Sequence, residues 1–268
     1  MRISVTRALR APLALLLAAL ATAPAAHAGP APRVALIVDD LGEQHEAGER
    51  ALRLPPAVAL SFLPQARHAA EQAERAHAAG HEVMLHMPME PFDGRQADAR
   101  ALPVGSPAET VRRRLDAALA ALPRATGVNN HQGSRYTADA ASIDTFMRAL
   151  AAQPRPYFFV DSRTTAATRA YRSALDHGIA AAERHVFIDA QRGRSAVRAG
   201  WQRWLAHARR TGNAVAIVHP YPESLALLEA ELPRLRALGF ELVPPSALLD
   251  EPRRLSVRAT STTGRQAR

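Results

Sequence analysis

The sequence predicts an α/β chain whose parallel strands close, or nearly close, into a (β/α) barrel. Three observations carry this expectation. Short apolar, β-branched runs recur along the chain, and longer stretches of helical periodicity separate them. The runs are also continuously apolar rather than alternating, the pattern of strands covered on both faces. Seven or eight such units in about 220 residues favour a barrel over a doubly wound open sheet, which is the alternative.

The strand candidates, in order, are "VALIV" (34–38), "VALSFL" (58–63), "EVMLH" (82–86), "GVNN" (127–130), "YFFVD" (157–161), "VFID" (186–189), "AVAIVH" (214–219) and "ELVP" (241–244). Between them, "SPAETVRRRLDAALAAL" predicts a helix. Ser106 is its N-cap, Pro107 its first residue and Glu109 the close of a capping box, with Val111, Leu115, Leu119 and Leu122 on one stripe. Ile143, Phe146, Met147 and Leu150 repeat at helical spacing, as do Val197, Trp201 and Leu205, with Gly212 as the stop. These stripes read as core contacts.

The two ends differ from the body. Residues 1–28 have a basic start (Arg2, Arg7, Arg10), an uncharged apolar stretch and the small-x-small triplet Ala26-His27-Ala28. A cleaved signal peptide is expected there rather than a membrane anchor, which needs about 20 apolar residues, and the expected destination is the periplasm or the exterior. Residues 29–250 are expected to form one domain, and 251–268, "EPRRLSVRATSTTGRQAR", a disordered basic tail with little to bury. The chain has no cysteine, so it relies on its core without disulfides. Its formal charge of +9 counts three leader arginines and a tail of five arginines and one glutamate, leaving +6 on the mature chain and close to +2 on the body. The basic balance therefore does not point to nucleic acid.

Polar residues gather at the C-terminal ends of the strand candidates: Asp39-Asp40, His86, Asn129-Asn130-His131, Asp161, Asp189 and His219. In a β/α barrel those ends converge on one mouth. Singly, each has a modest reading. Asp189 reads as the cap of the following helix, and Asp161 as a cap or a partner of Arg163 or Arg135. Three histidines with an Asp-Asp pair indicate a site. The neighbouring carboxylates of "VDDLG" are expected to point apart, because successive strand side chains alternate. One would then ligate a metal while the other takes a proton from water; if both faced one small space, one pKa would rise. In "GHEVMLHMPMEP", His86 and Glu90 end an apolar run, where burial is costly without partners. An Asp with two His and an open position suits zinc or a similar divalent transition metal.

These residues resemble the polysaccharide deacetylase superfamily, most closely its divergent branch of exported bacterial proteins. "IVDDLG", "LSFLP", "GHEVMLHMPMEP", "GVNNHQGSRYTAD", "FFVDSRTT" and "IVHPYPESLALL" occur in the family's order, nearly from Val34 to Leu249. The resemblance implies a distorted (β/α) barrel of about seven strands, the NodB-like type. It maps the base aspartate onto Asp39, the metal-binding aspartate onto Asp40 and the general-acid histidine onto His219. The family's pair of histidines four apart falls on His86 and Glu90, and "NNHQGSRYT" replaces its arginine-proline-tyrosine segment.

The resulting expectation is a metal held by Asp40, His86 and His131, with Glu90 as a supporting partner or a substitute ligand. Asn129, Asn130 and Arg135 bring fixed donors for sugar hydroxyls, an acetamide oxygen or an anionic group, and Asp161 is expected beside them in substrate binding. The implied activity is metal-assisted removal of acetyl groups from a cell-envelope or extracellular polysaccharide. The alternative is a non-catalytic envelope protein that binds glycan on the same barrel.

Overall fold

The computed structural model describes residues 29–94 and 98–251; the expected signal peptide and almost all of the basic tail lie outside the described residues. Among the described residues nine strands are formed: β1 (Arg33–Leu41), β2 (Ala59–Phe62), β3 (Val83–Met89), β4 (Gly127–Gln132), β5 (Phe158–Asp161), β6 (Ala181–Glu183), β7 (Val186–Phe187), β8 (Asn213–Val218) and β9 (Glu241–Leu242). Seven α-helices among the same residues alternate with them: α1 (His45–Ala51), α2 (Ala69–Ala78), α3 (Ala108–Ala121), α4 (Ala140–Ala151), α5 (Ala170–Asp176), α6 (Arg194–Thr211) and α7 (Pro222–Glu231). The named strands pair in parallel throughout, in the order β6-β5-β4-β3-β2-β1-β8-β7, with β9 on the start of β1. The sheet curls into a distorted (β/α) barrel. Its two edges, β6 and β7, do not pair; Arg184 and His185 alone join them, so the barrel has an open seam.

All eight strand candidates become strands. β6, "AAE", went unread because three residues of alanine and glutamate carry no β-branched signal. At α3 the capping box does not form. The helix starts at Ala108 with Pro107 as N-cap, the Ser106 hydroxyl donates to the Pro103 carbonyl (2.7 Å), and Glu109 pairs with Arg112. Gly212 ends α6 at φ 86°, as its spacing suggested.

The sheet separates two apolar cores. Its outer face packs Leu36, Val38, Leu60, Leu85 and Phe159 together with the helical Leu115, Phe146, Trp201 and Trp204. Inside the barrel lies a smaller plug, including Ala35, Ile37, Ala59, Met84, Val160, Ala182, Val215 and Ile217. Gly127 completes it by omission: a Cβ there would lie 2.3 Å from the Phe158 ring, so the ring occupies the space a side chain would fill. Because strand side chains alternate, the inward position after Ile37 is Asp39, after Ala59 Ser61, after Met84 His86, after Gly127 Asn129 and after Ile217 His219. The plug closes the barrel below, and the next inward layer is polar.

Helix α6 lies unusually close to the chain leaving β7. A Cβ on Gly200 would sit 1.9 Å from the Ile188 carbonyl oxygen, a backbone atom that cannot swing aside. Gly200→Ala is therefore expected to cost more than about 2 kcal/mol of stability, read by urea unfolding. Among the described residues, no helix is long and apolar enough to cross a membrane.

Candidate metal centre at the barrel mouth

The two aspartates of β1 do not point apart. The register of β1 against β2 shifts between Val38 and Leu41, and Asp40 takes a left-handed conformation, φ 57°. Aspartate is among the few non-glycine residues that tolerate this. The irregularity turns both carboxylates toward one point: Asp40 Oδ1 lies 3.1 Å and Asp39 Oδ2 3.8 Å from His86 Nε2. Strict alternation would have separated them.

Asn129 organises this layer. Its Oδ1 accepts from the Ser61 hydroxyl (2.7 Å) and faces His86 Nδ1 (2.8 Å), while its Nδ2 donates to Asp39 Oδ1 (2.8 Å). A carbonyl oxygen only accepts, so His86 carries hydrogen on Nδ1 and presents Nε2 to the two acids. Asn129 and Ser61 are fully buried. Ser61 was not singled out in the sequence, although it is the one polar residue of "VALSFL" and falls at an inward position.

His131 follows Asn129 on the same face of β4. Its Nδ1 lies 2.8 Å from the same Asp40 Oδ1, and its ring meets that of His86 edge-on at 4.9 Å. One ligating atom from each of Asp40, His86 and His131 falls within 4.8 Å of the others. Ligands 2.0–2.1 Å from a tetrahedral zinc stand roughly 3.3 Å apart, so these donors are spaced to fit a small divalent ion.

Glu90 faces elsewhere. One carboxylate oxygen accepts from the Val104 N–H (2.6 Å) and the other from the Arg135 guanidinium (2.7 Å), and its carbonyl accepts from the Arg135 and Tyr136 N–H groups. It pins the loop after β3 to the loop after β4. Glu90→Ala is thus expected to leave ion stoichiometry unchanged while costing about 1–3 kcal/mol of stability, measured by metal analysis beside thermal unfolding.

His219, just past β8, completes the ring of groups. Its Nε2 lies 3.7 Å from Asp40 Oδ2 and its Nδ1 3.0 Å from Asp189 Oδ1. The other Asp189 oxygen accepts from the His219 N–H (2.8 Å) and the Ser224 hydroxyl (2.7 Å). Asp189 is therefore no helix cap: Gly193 precedes α6, and the buried carboxylate holds His219. Tyr221 stacks on His219 at 5.7 Å, with the Arg192 guanidinium 3.6 Å above the Tyr221 ring.

These contacts set the charge states. Burial pushes the Asp39 carboxyl above the usual carboxylate range, and the nearby His86 and His219 offset only part of that. Burial acts on Asp40 in the same direction, but hydrogen bonds from His131 and His86 outweigh it and hold this carboxyl far below the usual range. Burial would lower His86, yet the charge of Asp39 and the hydrogen bond and charge of Asp40 push it up to about 9. His219 rises too: burial opposes, while the Asp189 hydrogen bond and the Asp40 charge prevail. The cluster draws positive charge inward, as protons or as a cation.

The residues expected to meet substrate divide. Asn129 is spent as described. Asn130 donates to the Gln132 carbonyl (2.7 Å) and accepts from the Ser162 N–H (2.9 Å). Asp161 accepts from the Arg163 N–H, the Thr168 hydroxyl and the Tyr171 N–H, while the Arg163 guanidinium turns to Glu183 rather than to Asp161. Their side chains hold the loops around the mouth. Arg135 lies at the surface on Glu90.

Comparison with known proteins places the chain among relatives of the same fold. The chain is 32% identical over 220 residues to YibQ, an uncharacterized protein of Escherichia coli K12, covering 82% of this chain and 68% of that one. It is similar to the crystal structure of an uncharacterized protein from Agrobacterium tumefaciens C58, with TM-score 0.77 and 27% identity over 82% of this chain and 90% of that one. The peptidoglycan deacetylase PdaC of Bacillus subtilis shares the fold at TM-score 0.51 and 13% identity, over 81% and 90% of the two chains. Residues 36–249 match the family model for divergent polysaccharide deacetylases, and with the barrel and its mouth described, the chain belongs to that family.

Proposed function

We propose that the protein is an exported, divalent-metal-dependent deacetylase that removes acetyl groups from a polysaccharide of the cell envelope or exterior. One observation carries the reading: Asp40, His86 and His131 converge at ligand spacing, with Asp39 and His219 beside them in the same mouth. Those three residues would hold a divalent ion, zinc by ligand type, which would supply a Lewis acid for the acetyl carbonyl and for water. Export rests on the leader sequence.

The chain's own groups then have separate tasks. Asp39 takes the proton of the attacking water through Oδ2, while Asn129 holds Oδ1 and fixes the direction of the carboxylate. A base whose proton affinity is raised by burial gains driving force for that transfer. His219 gives a proton to the departing sugar amine or alkoxide through Nε2. Asp189 fixes the opposite nitrogen and favours the protonated ring. Asp189→Asn is accordingly expected to lower kcat by about 10²-fold or more with little change in KM, measured by acetate release.

The reading is tested with mature protein loaded with zinc and offered peptidoglycan, chitooligosaccharide and an O-acetylated glycan. Acetate release that stops on chelation and returns with added ion supports it. A fully loaded protein that releases no acetate from any of the three contradicts it.

A further inference from the structure

One cation at the mouth has no task in this chemistry. Arg184 spans the seam between β6 and β7, and its guanidinium donates through Nε to the Ser162 carbonyl (2.6 Å) and through Nη2 to the Arg163 carbonyl (2.7 Å). Both carbonyls lie just past the C-terminal end of β5, on the side of the barrel that carries the polar layer. The guanidinium lies 5.1 Å from the centre of the Phe187 ring, and that ring is 5.0 Å from the ring of His219. One aromatic ring thus neighbours both the fork and the expected proton donor.

The surroundings of Arg184 leave its charge without a contacting counter-ion. Arg163 takes Glu183, and Asp161 is occupied by Arg163 N–H, Thr168 and Tyr171. Among the described residues, no carboxylate stands within ion-pair distance of Arg184; Asp161 and Asp39 act on it only from farther off. Burial and the neighbouring positive charge of Arg163 pull its proton affinity down, the signature of an uncompensated cation. Partial burial of such a charge against neutral carbonyls is costly, and an incoming anion offsets that cost. Two of its five N–H donors are engaged and the plane is fixed by the ring, so the remaining donors form a preorganised fork of the kind that grips a carboxylate.

We propose that Arg184 is a carboxylate anchor and that the substrate is an acidic glycan, its carboxylate held on Arg184 beside the sugar whose amine or hydroxyl departs at His219. This rests on the deacetylase reading and specifies its substrate class.

The test is calorimetric binding of two tetrasaccharides to the full mature chain. One is built of N-acetylglucosamine alone; the other alternates it with N-acetylmuramic acid and differs only in its 3-O-lactyl groups, each of which adds one carboxylate. Wild type is expected to bind the acidic sugar at least tenfold more tightly, and Arg184→Gln to bind the two equally, with its affinity for the neutral one unchanged. Equal binding by wild type, binding of neither sugar, or equal weakening of both by Arg184→Gln, which a mere brace of the seam would give, overturns the proposal. Should that variant not fold, Arg184→Lys keeps the charge without the planar fork: a reduced preference supports the anchor and an unchanged one contradicts it. A preference for the acidic sugar without acetate release leaves the anchor standing and removes the deacetylase. Release at equal rates from both sugars does the reverse.

Discussion

Asp39→Asn is expected to reduce acetate release by about 10³-fold while ion stoichiometry stays at the wild-type level, because a positioned general base contributes 10²–10⁴-fold. Asparagine keeps the shape of the residue and an oxygen for the Asn129 amide, the contact that orients Asp39. It cannot take a proton. The ligand set proposed here excludes Asp39, whose nearer oxygen stands 3.8 Å from His86 Nε2 against 3.1 Å for Asp40. Steady-state kinetics beside metal analysis separate the outcomes. Unchanged turnover places the base elsewhere, and loss of the ion makes Asp39 a ligand.

The barrel was legible because its cause is local. Continuous apolar strands and amphipathic helices are written in short windows, and every strand with a β-branched core was read. The convergence of polar strand ends was legible for the same reason, since a two-residue step beyond an inward apolar position always lands in the mouth. What escaped depends on partners far along the chain. Nothing in "VDDLG" announces that Asp40 turns left-handed, an irregularity that requires β2 alongside. Asp189 resembles a cap until β7 and β8 are paired and His219 stands next to it. Asn129 looks like a donor for sugar until Ser61, His86 and Asp39, from three other strands, consume its amide. Glu90, from its place in a motif, reads as a supporting partner or a substitute ligand, and only Val104 and Arg135 show where its charge goes.

Ion affinity should fall about tenfold for each pH unit of acidification below 9, because one proton must leave His86 for each ion bound. The sign follows from the raised pKa. His86 in the ion-free protein holds its proton below about 9, and Nε2 needs its lone pair free to ligate. Affinity is therefore greatest above that pH and lost progressively toward neutrality and beyond. Between pH 9 and pH 6 the change amounts to about 10³-fold, well within the range of chelator competition. Affinity that is flat over this interval would mean that Nε2 does not ligate. Replacing Asn129 by leucine removes the acceptor that fixes the His86 tautomer, and the same titration should then show weaker binding throughout.

X-ray absorption spectroscopy on the zinc-loaded mature protein tests the ligand set most directly. The expected result is one ion per chain with two imidazoles and carboxylate oxygen around it, falling to one imidazole in His131→Ala and unaltered in Glu90→Ala. A spectrum without imidazole ligands, or one that changes in Glu90→Ala and not in His131→Ala, would contradict it.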